Sequence, residues 1–401
     1  MTTYLIIGNG IAANSAAEDI RKLDPRGVIL MFSRERYHFY YVPALPEYLA
    51  GEKQVKDFTI HNEKWYEKNG FNLHLETEIV EIDPRQKAAS AKTGEIIFYD
   101  KLLLACGGNS FIPPIPGFQS EGVFTLRTIA DADAIRERAK QSKKAVMIGG
   151  GLLGLEAGNG LRRMGLEISV VEFSPRLLPR QMDIAGAAVL RRKMEEMGFR
   201  FYPGAKTREI VREKDSLGVC LEGGEKLSAD IVLISAGVRP ELTLAKSLGL
   251  AIDKGVKVDD SMKTEMQDIY AAGDLIEHQG RFYGIWPASM EQGRIAGANM
   301  AGQEMKYLGT VPSNTLKVAG IDLVSAGEID AEGRMESIVT KDEARGTYRK
   351  LVLQDNIITG MILLGDIRGK DEIQKAIKSK KNVSAIKGNL ADERFDFSAL
   401  K

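Results

Sequence analysis

The stretch Tyr4–Ala13, YLIIGNGIAA, decides the fold, and the stretch Ala145–Gly154, AVMIGGGLLG, repeats its pattern later in the chain. In each stretch an apolar run predicts a strand, the glycines predict a tight turn, and the residues that follow predict a helix. One such loop is a weak signal, because glycines also make ordinary turns. Two in one chain predict two bound dinucleotides, which is how a flavin and a nicotinamide are brought together for hydride transfer.

In the first loop each small residue has an expected purpose. Gly8 permits the turn, Gly10 lets the backbone approach a pyrophosphate, and Ala13 lets helix and strand pack closely, with Ala12 beside it on the small helix face. The pyrophosphate is expected on the N–H groups at the start of the helix, where the helix dipole favours negative charge. These four residues are predicted to bind the first dinucleotide.

The next predicted strand, Val28–Phe32, should be followed by an acid that holds the adenosine ribose. The expected position is Ser33, which cannot make the paired hydrogen bonds of a carboxylate. Arg34 and Glu35 come next, both are candidates for this nucleotide, and Glu35 is preferred for the ribose. The alternative is that Glu35 is a surface residue after a strand.

The second loop is predicted to bind its dinucleotide through Gly149, Gly151, Leu153 and Gly154. Glu172 ends the following strand, and a carboxylate there binds ribose hydroxyls and repels a 2′-phosphate. This favours NADH over NADPH, although Arg176 lies nearby in sequence.

Glu156 lies one turn into the second nucleotide helix, on the side that could face a nicotinamide or a flavin. It is therefore a candidate catalytic residue. A helix-surface acid is the alternative, and the sequence alone favours neither interpretation.

The composition limits the possible functions. With 401 residues, 44% of them hydrophobic, the chain is long enough for two or three domains with cores. Lys+Arg and Asp+Glu are equal at 55 each, so no overall affinity for nucleic acid or an anionic membrane is expected. No apolar run approaches the roughly 18–20 residues of a membrane span, and the chain starts directly with a strand, so we expect a cytoplasmic protein without a cleaved signal peptide.

Cysteine and histidine give no sign of a metal site or a dithiol. The two cysteines, Cys106 and Cys220, are far apart in sequence, and the four histidines have no metal-ligand spacing. We expect both cysteines to be packing residues, because a reactive thiolate needs an exposed and electropositive setting.

Further motifs resemble those of the FAD-dependent pyridine nucleotide-disulfide oxidoreductases, over about the first 310 residues. Leu102–Gly107 is similar to the family strand that ends beside the flavin nucleotide, which assigns Ala105, Cys106 and Gly107 to that nucleotide. Ala236-Gly237 is similar to the end of the strand that returns from the NAD domain. The stretch Thr264–Asp274 is similar to the last flavin motif, and the resemblance implies that Gly273 and Asp274 bind the flavin, with Asp274 on a ribityl hydroxyl.

Within the family, the stretch Phe39–Glu47 and the tail from about Thr315 are most similar to rubredoxin reductases and to the flavin module of assimilatory nitrite reductases. Val42 stands where thiol-using members keep their reactive cysteine, so it is expected to flank the flavin without a thiol. Glu47 stands where several members place a lysine beside the flavin, which would hinder hydride addition unless another cation compensates. Glu47 is therefore the second candidate catalytic residue. Cys106 replaces the usual threonine.

The resemblance implies an α/β fold with two doubly wound dinucleotide-binding domains and a small α+β C-terminal domain. The expected boundaries are 1–118 with 241–314 for the FAD domain, 119–240 for the NAD domain and 315–401 for the C-terminal domain.

The resemblance also implies an NADH-dependent flavoenzyme that needs no redox-active cysteine and reduces a small electron carrier such as rubredoxin or ferredoxin. The alternatives are an NADH oxidase that uses oxygen and a flavin relay subunit of a larger redox complex; a homodimer is possible in any of these. The segment 368–387 holds seven Lys or Arg against two acidic residues, which suits an acidic carrier or simply a solvated helix.

Overall fold

The computed structural model describes residues 1–311, 313–318 and 320–400. Ala319, part of the tail that resembles rubredoxin reductases, lies outside the described residues, as do Pro312 and Lys401. The strands are β1 (Thr3–Ile7), β2 (Val28–Phe32), β3 (Phe71–His74), β4 (Ile79–Asp83), β5 (Ala88–Ala91), β6 (Ile96–Phe98), β7 (Lys101–Leu104), β8 (Gly108–Ser110), β9 (Val123–Phe124), β10 (Lys144–Ile148), β11 (Glu167–Glu172), β12 (Arg200–Pro203), β13 (Thr207–Arg212), β14 (Leu217–Leu221), β15 (Lys226–Ala229), β16 (Ile231–Ile234), β17 (Val238–Pro240), β18 (Val256–Val258), β19 (Ile269–Ala271), β20 (Ile276–His278), β21 (Ser313–Val318), β22 (Ile321–Gly327), β23 (Glu336–Asp342), β24 (Thr347–Gln354) and β25 (Ile357–Leu364).

The α-helices are α1 (Ile11–Leu23), α2 (Leu45–Leu49), α3 (Val55–Phe58), α4 (Glu63–Asn69), α5 (Ile129–Ala139), α6 (Leu152–Arg163), α7 (Ile184–Glu196), α8 (Thr243–Ser247), α9 (Trp286–Met300) and α10 (Lys370–Ser379). Short 3₁₀ helices cover Val42–Ala44, Lys387–Asn389 and Phe397–Leu400.

The chain divides into two compact units. The first comprises Met1–Val42, Gln54–Asn109 and Val238–Thr310, and the second comprises Pro43–Lys53, Ser110–Gly237 and Val311–Lys401. The boundaries expected for three domains remain a prediction.

The first unit is built on a parallel sheet with the strand order β19-β7-β1-β2-β3. Strands β1, β2, β7 and β19 are mostly apolar, as expected for a sheet covered on both faces, whereas the edge strand β3 also carries Asn72 and His74. Helices α1 and α9 pack closely, since a Cβ atom at Gly293 would lie 2.2 Å from the carbonyl oxygen of Ala12. A small antiparallel sheet, β4-β5-β6, and a parallel pair, β18-β20, also belong to this unit.

The second unit repeats this plan and adds a third sheet. Its parallel sheet has the order β12-β11-β10-β16-β9, and β13-β14-β15 form an antiparallel sheet. An antiparallel sheet in the order β21-β22-β25-β24-β23 follows, with α10 packed on it through Ile373 and Ala376. The predicted fold class, two doubly wound α/β arrangements and a small α+β part, is confirmed.

Candidate functional site

The two glycine-rich loops have the same backbone geometry. Gly8 has φ +126° and Gly149 has φ +115°, which are values that L side chains rarely adopt. A Cβ atom at Gly8 would lie 2.2 Å from the carbonyl oxygen of Ala105, and one at Gly149 would lie 2.2 Å from that of Ser235. Both positions therefore require glycine, because at each of them a Cβ atom would clash with a main-chain carbonyl oxygen.

The helices that follow the loops start without side-chain caps. Gly10 caps α1 and Gly151 caps α6, neither helix has an acid in its first turn, and a Cβ atom at either glycine would meet nothing within 4 Å. By contrast, α4, α5 and α7 are capped by side chains. The open approach and the uncapped N–H groups fit a pyrophosphate at each helix start.

Small residues bring the first loop close to the last flavin motif. Ala12 and Ala13 are buried, and a Cβ atom at Gly273 would lie 3.1 Å from the Ala12 side chain. Strand β19 runs parallel to β7, and β7 runs parallel to β1, so the three strands end at one edge of the sheet. The fold thus collects predicted flavin residues that are far apart in sequence.

Two residues of α9 hold the last flavin motif and were missed by sequence reasoning. Ser289 donates to Asp274 Oδ1 at 3.0 Å, and the Gly273 N–H donates to Gln292 Oε1 at 3.0 Å. Gln292 is almost completely buried. In the sequence, Ser289 and Gln292 stand out only as two polar residues on the predicted buried face of a helix rich in small residues. That pattern does not indicate that either residue contacts the Gly273–Asp274 motif.

The candidates for the first ribose point to different partners. Glu35 Oε2 accepts a hydrogen bond from the Tyr40 hydroxyl at 2.8 Å, whereas Arg34 donates to Asn109 Oδ1 at 3.0 Å. Glu241 lies beside this group, with its Oε2 at 3.9 Å from Arg34. Asn109 and Glu241 are further residues that the sequence did not single out, and the ribose assignment of Glu35 stays a prediction.

Cys106 is not set up as a nucleophile. Burial raises the pKa of its thiol to about 12, and the negative charge of Glu241 adds to this effect. Its Sγ lies 3.8 Å from the Ile7 carbonyl oxygen, which accepts a weak hydrogen bond. Gly107 next to it accepts a hydrogen bond from the Glu241 N–H at 3.0 Å. Cys106 therefore stays a protonated thiol at neutral pH.

Aromatic residues cluster at the start of α9. Phe39 stacks on Trp286 with ring centroids 5.7 Å apart, and Tyr41 meets the same indole edge-on at 5.0 Å. Phe39 is buried and Tyr41 is exposed. Val42 follows directly in a 3₁₀ helix and brings no thiol.

In the second unit, Glu172 lies against its glycine loop. Its Oε2 accepts from the Gly150 N–H at 2.6 Å and its Oε1 from the Ser174 N–H at 2.7 Å. Arg176 instead donates to the carbonyl oxygens of Met182, at 3.1 Å, and Pro179, at 3.3 Å. The guanidinium is thus engaged within its own loop, which favours NADH over NADPH at this loop.

The two candidate catalytic acids belong to adjacent helices, α2 and α6. Burial raises the pKa of Glu156 to about 7, and the charge of Glu47 adds to the shift. Lys53 forms an ion pair with Glu47. Lys53, which the sequence did not single out, is thus a cation that compensates for the acid at position 47.

The remaining NAD-side residues lie in the second unit. Position 154 requires glycine, because a Cβ atom there would lie 2.4 Å from the Gly149 carbonyl oxygen. Leu153 precedes it in the first turn of α6. Gly237, with φ +107°, accepts a hydrogen bond from the Phe111 N–H at 2.8 Å. The predicted flavin residues all fall in the first unit, and the predicted NAD and catalytic residues all fall in the second.

The described residues contain neither a metal-ligand cluster nor a helix able to span a membrane. No group of three His, Cys, Asp or Glu side chains in ranges 1–311, 313–318 and 320–400 is arranged to hold a metal ion. Within the same ranges, no helix has both the length and the apolar character needed to cross a bilayer.

Comparison with known proteins places these features in a family. Residues 2–304 match the family described as pyridine nucleotide-disulphide oxidoreductase, and residues 312–381 match the rubredoxin NAD+ reductase C-terminal domain. The nitrite reductase [NAD(P)H] of Bacillus subtilis is 35% identical over 95% of this chain and 48% of its own length. The chain therefore spans about half the length of that relative.

Other relatives match over their whole length. The NADH-rubredoxin oxidoreductase of Clostridium acetobutylicum is 32% identical, with 96% of this chain and 97% of the relative covered. Its crystal structure has a TM-score of 0.81 over 97% of this chain and 100% of that chain. A ferredoxin reductase from Rhodopseudomonas palustris has a TM-score of 0.90 and 25% identity, covering 100% of this chain and 99% of that one. With its two glycine loops and its C-terminal sheet, the chain belongs to the pyridine nucleotide-disulphide oxidoreductase family.

Proposed function

We propose that the protein is an FAD-dependent NADH:acceptor oxidoreductase that passes electrons to a small one-electron carrier such as rubredoxin or ferredoxin. The observation that carries this proposal is the matched pair of glycine loops, one in each unit, each followed by an uncapped helix start. The whole-length similarity to an NADH-rubredoxin oxidoreductase supports the choice of acceptor.

The residues divide into two binding groups. Gly8, Gly10, Ala12 and Ala13 hold the FAD pyrophosphate at the start of α1, with Glu35 on the ribose and Asp274 on the ribityl chain. Gly149, Gly151, Leu153 and Gly154 hold NADH at the start of α6, with Glu172 on its ribose. The remaining predicted flavin contacts are Arg34, Val42, Ala105, Cys106, Gly107 and Gly273, and Gly237 is assigned to the NAD side.

When bound, FAD supplies the redox chemistry, since a flavin accepts a hydride from a nicotinamide and releases electrons singly to a carrier. The chain contributes alignment, and alignment is the larger part of catalysis for a transfer that needs no acid or base. Ser289 and Gln292 keep Asp274 and Gly273 in place. Glu156 holds a proton near neutral pH, and Lys53 balances the charge of Glu47.

The acceptor is proposed to take electrons without a protein thiol in between. Cys106 is held in the protonated state by burial, and Val42 offers no sulfur. Disulfide, CoA-disulfide and peroxide reduction in this family need a thiolate, so the acceptor classes left are a one-electron carrier, a quinone-like molecule and oxygen, of which the carrier is proposed.

A flavin relay subunit of a larger redox complex is the second candidate. It is favoured by the similarity to a nitrite reductase about twice as long as this chain. A homodimer and a cytoplasmic location remain predictions from the sequence, which gel filtration and cell fractionation would check.

Anaerobic stopped-flow mixing tests the proposal. The yellow protein is mixed with NADH and then, in separate shots, with rubredoxin, ferredoxin or air-saturated buffer, while flavin absorbance is followed. Bleaching by NADH with fast reoxidation by a carrier protein is expected. Fast reoxidation by oxygen alone would make the protein an NADH oxidase, and no bleaching at all would favour the relay subunit.

A further inference from the structure

A network of buried polar side chains surrounds Asn9, the residue between the two glycines of the first loop. The Tyr66 hydroxyl lies 2.9 Å from Asn9 Oδ1 and 2.8 Å from Asn14 Oδ1, so its one hydrogen is shared between them. Asn14 Nδ2 lies 3.0 Å from Asn9 Oδ1. Tyr66 and Asn14 are both almost completely buried, at 3% and 1% exposed. The loop side chain is therefore fixed by two residues from outside the loop.

Asn14 also binds the loop backbone. Its Nδ2 lies 3.1 Å from the carbonyl oxygen of Asn9 and 3.0 Å from that of Gly10. In a trans peptide the C=O and N–H groups point in opposite directions. Because these carbonyls point towards Asn14, the N–H groups of Gly10 and Ile11 point away from it. The loop thus has its acceptors turned inwards and its donors turned outwards, as an anionic ligand requires.

Helix α4, which carries Tyr66, is itself fastened to α1. Arg21 of α1 donates to the carbonyl oxygens of Asn69 and Gly70 at the end of α4, each at 2.9 Å. Burial raises the pKa of Tyr66, so the hydroxyl stays protonated and remains a donor. Tyr66 is thus held by its helix, which Arg21 fastens to α1, and by its own hydrogen bonds to Asn9 and Asn14.

The second loop has no such network. Gly150 stands in the place of Asn9 and Leu155 in the place of Asn14. Gly150 is held instead at its main chain, by Glu172 Oε2 at 2.6 Å and by the Leu178 N–H at 3.1 Å. The Leu155 side chain is buried and apolar, so it cannot donate to the carbonyl oxygens of its loop as the Asn14 side chain does.

We propose that Tyr66 and Asn14 are positioning residues that preform the first loop and so let it retain FAD, while the second loop, which is held at the main chain of Gly150 instead, exchanges its dinucleotide. This inference rests on the proposed function. A loop already ordered before binding loses less conformational freedom when the ligand arrives, which raises affinity without a new contact. A resident cofactor needs such affinity, whereas a substrate dinucleotide must leave in every cycle.

The test compares Tyr66→Phe with Tyr99→Phe. Tyr99 is buried in the same unit, and its hydroxyl has no hydrogen-bond partner among the described residues, so its removal is a matched control. The dissociation constant for FAD is measured by fluorescence quenching on the apo forms of the full chain, together with the thermal midpoint of each apo form. Tyr66→Phe is expected to weaken FAD binding roughly fivefold, as loss of a neutral hydrogen bond would. Tyr99→Phe is expected to leave FAD binding unchanged, and the KM for NADH of both loaded variants should match the wild type.

Asn14→Leu copies the second loop and should weaken FAD binding more than Tyr66→Phe does. Unchanged FAD affinity in Tyr66→Phe would overturn the inference, even if the apo form melts earlier, because the residue would then be merely structural. Equal weakening by Tyr99→Phe would overturn it as well. A folded wild type that binds no FAD would instead overturn the proposed function, and this inference with it.

Discussion

The carboxylate of Glu47 lies close enough to Glu156 for its negative charge to add to the effect of burial, and together they raise the pKa of Glu156 to about 7. Glu47 lies in α2 and Glu156 in α6, and both helices belong to the second unit. Lys53 lies on the Glu47 side as an ion-pair partner. At neutral pH Glu156 therefore carries only part of a negative charge, and small changes in pH alter it.

The stability of the protein should depend on pH through Glu156. Its pKa in the folded state is raised above the ordinary value of 4.5, so the folded protein binds the proton more tightly than the unfolded chain. The resulting stabilisation is fully present below pH 4.5 and is lost as pH rises through about 7. We expect Glu156→Gln to remove this loss, making the variant more stable than the wild type at pH 8.5 by roughly 3 kcal/mol.

Thermal midpoints measured from pH 5 to about pH 8.5 by circular dichroism check this expectation. Glu137→Gln on α5 is the control, since that side chain is 71% exposed. Parallel curves for the wild type and Glu156→Gln would contradict the assignment of the transition to Glu156.

Glu47→Gln should move the same transition to lower pH without abolishing it. The variant removes one negative charge beside Glu156, but burial, which is the larger cause of the raised pKa, remains. The transition is therefore expected between pH 4.5 and 7, read from the same melting series. A midpoint that stays at the wild-type pH would mean that burial alone sets the pKa.

Substitution of alanine for the first glycine of each loop should abolish binding of one dinucleotide and leave binding of the other intact. Gly8→Ala forces a Cβ against the Ala105 carbonyl oxygen and is expected to give a colourless protein. Gly149→Ala forces the same clash at Ser235 and is expected to give a yellow protein that NADH no longer bleaches. Absorbance at purification and anaerobic titration with NADH distinguish the two. A colourless Gly149→Ala protein that is otherwise folded would argue against the assignment of the loops.

Glu172 should set the preference for NADH. Glu172→Ala is expected to lower kcat/KM for NADH by roughly ten- to a hundredfold, the range for a hydrogen bond to a charged group. Glu172 also accepts a hydrogen bond from the Gly150 N–H, so general damage to the loop would lower kcat/KM for NADH and for NADPH by the same factor. The decisive readout is the NADH-to-NADPH ratio of kcat/KM, which should fall because the repulsion of a 2′-phosphate is lost. An unchanged ratio would show that Glu172 acts only on the loop.

Much of the architecture follows from local sequence. A strand, a glycine turn and a small-residue helix are decided by residues within a short window, so the loops at Gly8 and Gly149 and the fold class could be predicted directly. The glycine at each turn is required by a clash with the neighbouring strand, and that clash recurs wherever the same unit forms. The expectation that neither cysteine is redox-active also came from the sequence, since only two cysteines are present and they are far apart.

Other features depend on residues that only folding brings together. Tyr66 reaches Asn9 from α4, Ser289 reaches Asp274 from α9, and Lys53 pairs with Glu47. No local pattern marks these residues, because hydrogen bonds and ion pairs form between whatever side chains the packing places within reach.

The sequence by itself determined that two glycine-rich strand–turn–helix loops exist and which residues form them. Only the tertiary structure decided how each loop is held and at what pH Glu156 loses its proton. The physical reason is that loop conformation is set by local backbone sterics, whereas desolvation and charge interaction depend on every group packed around an atom.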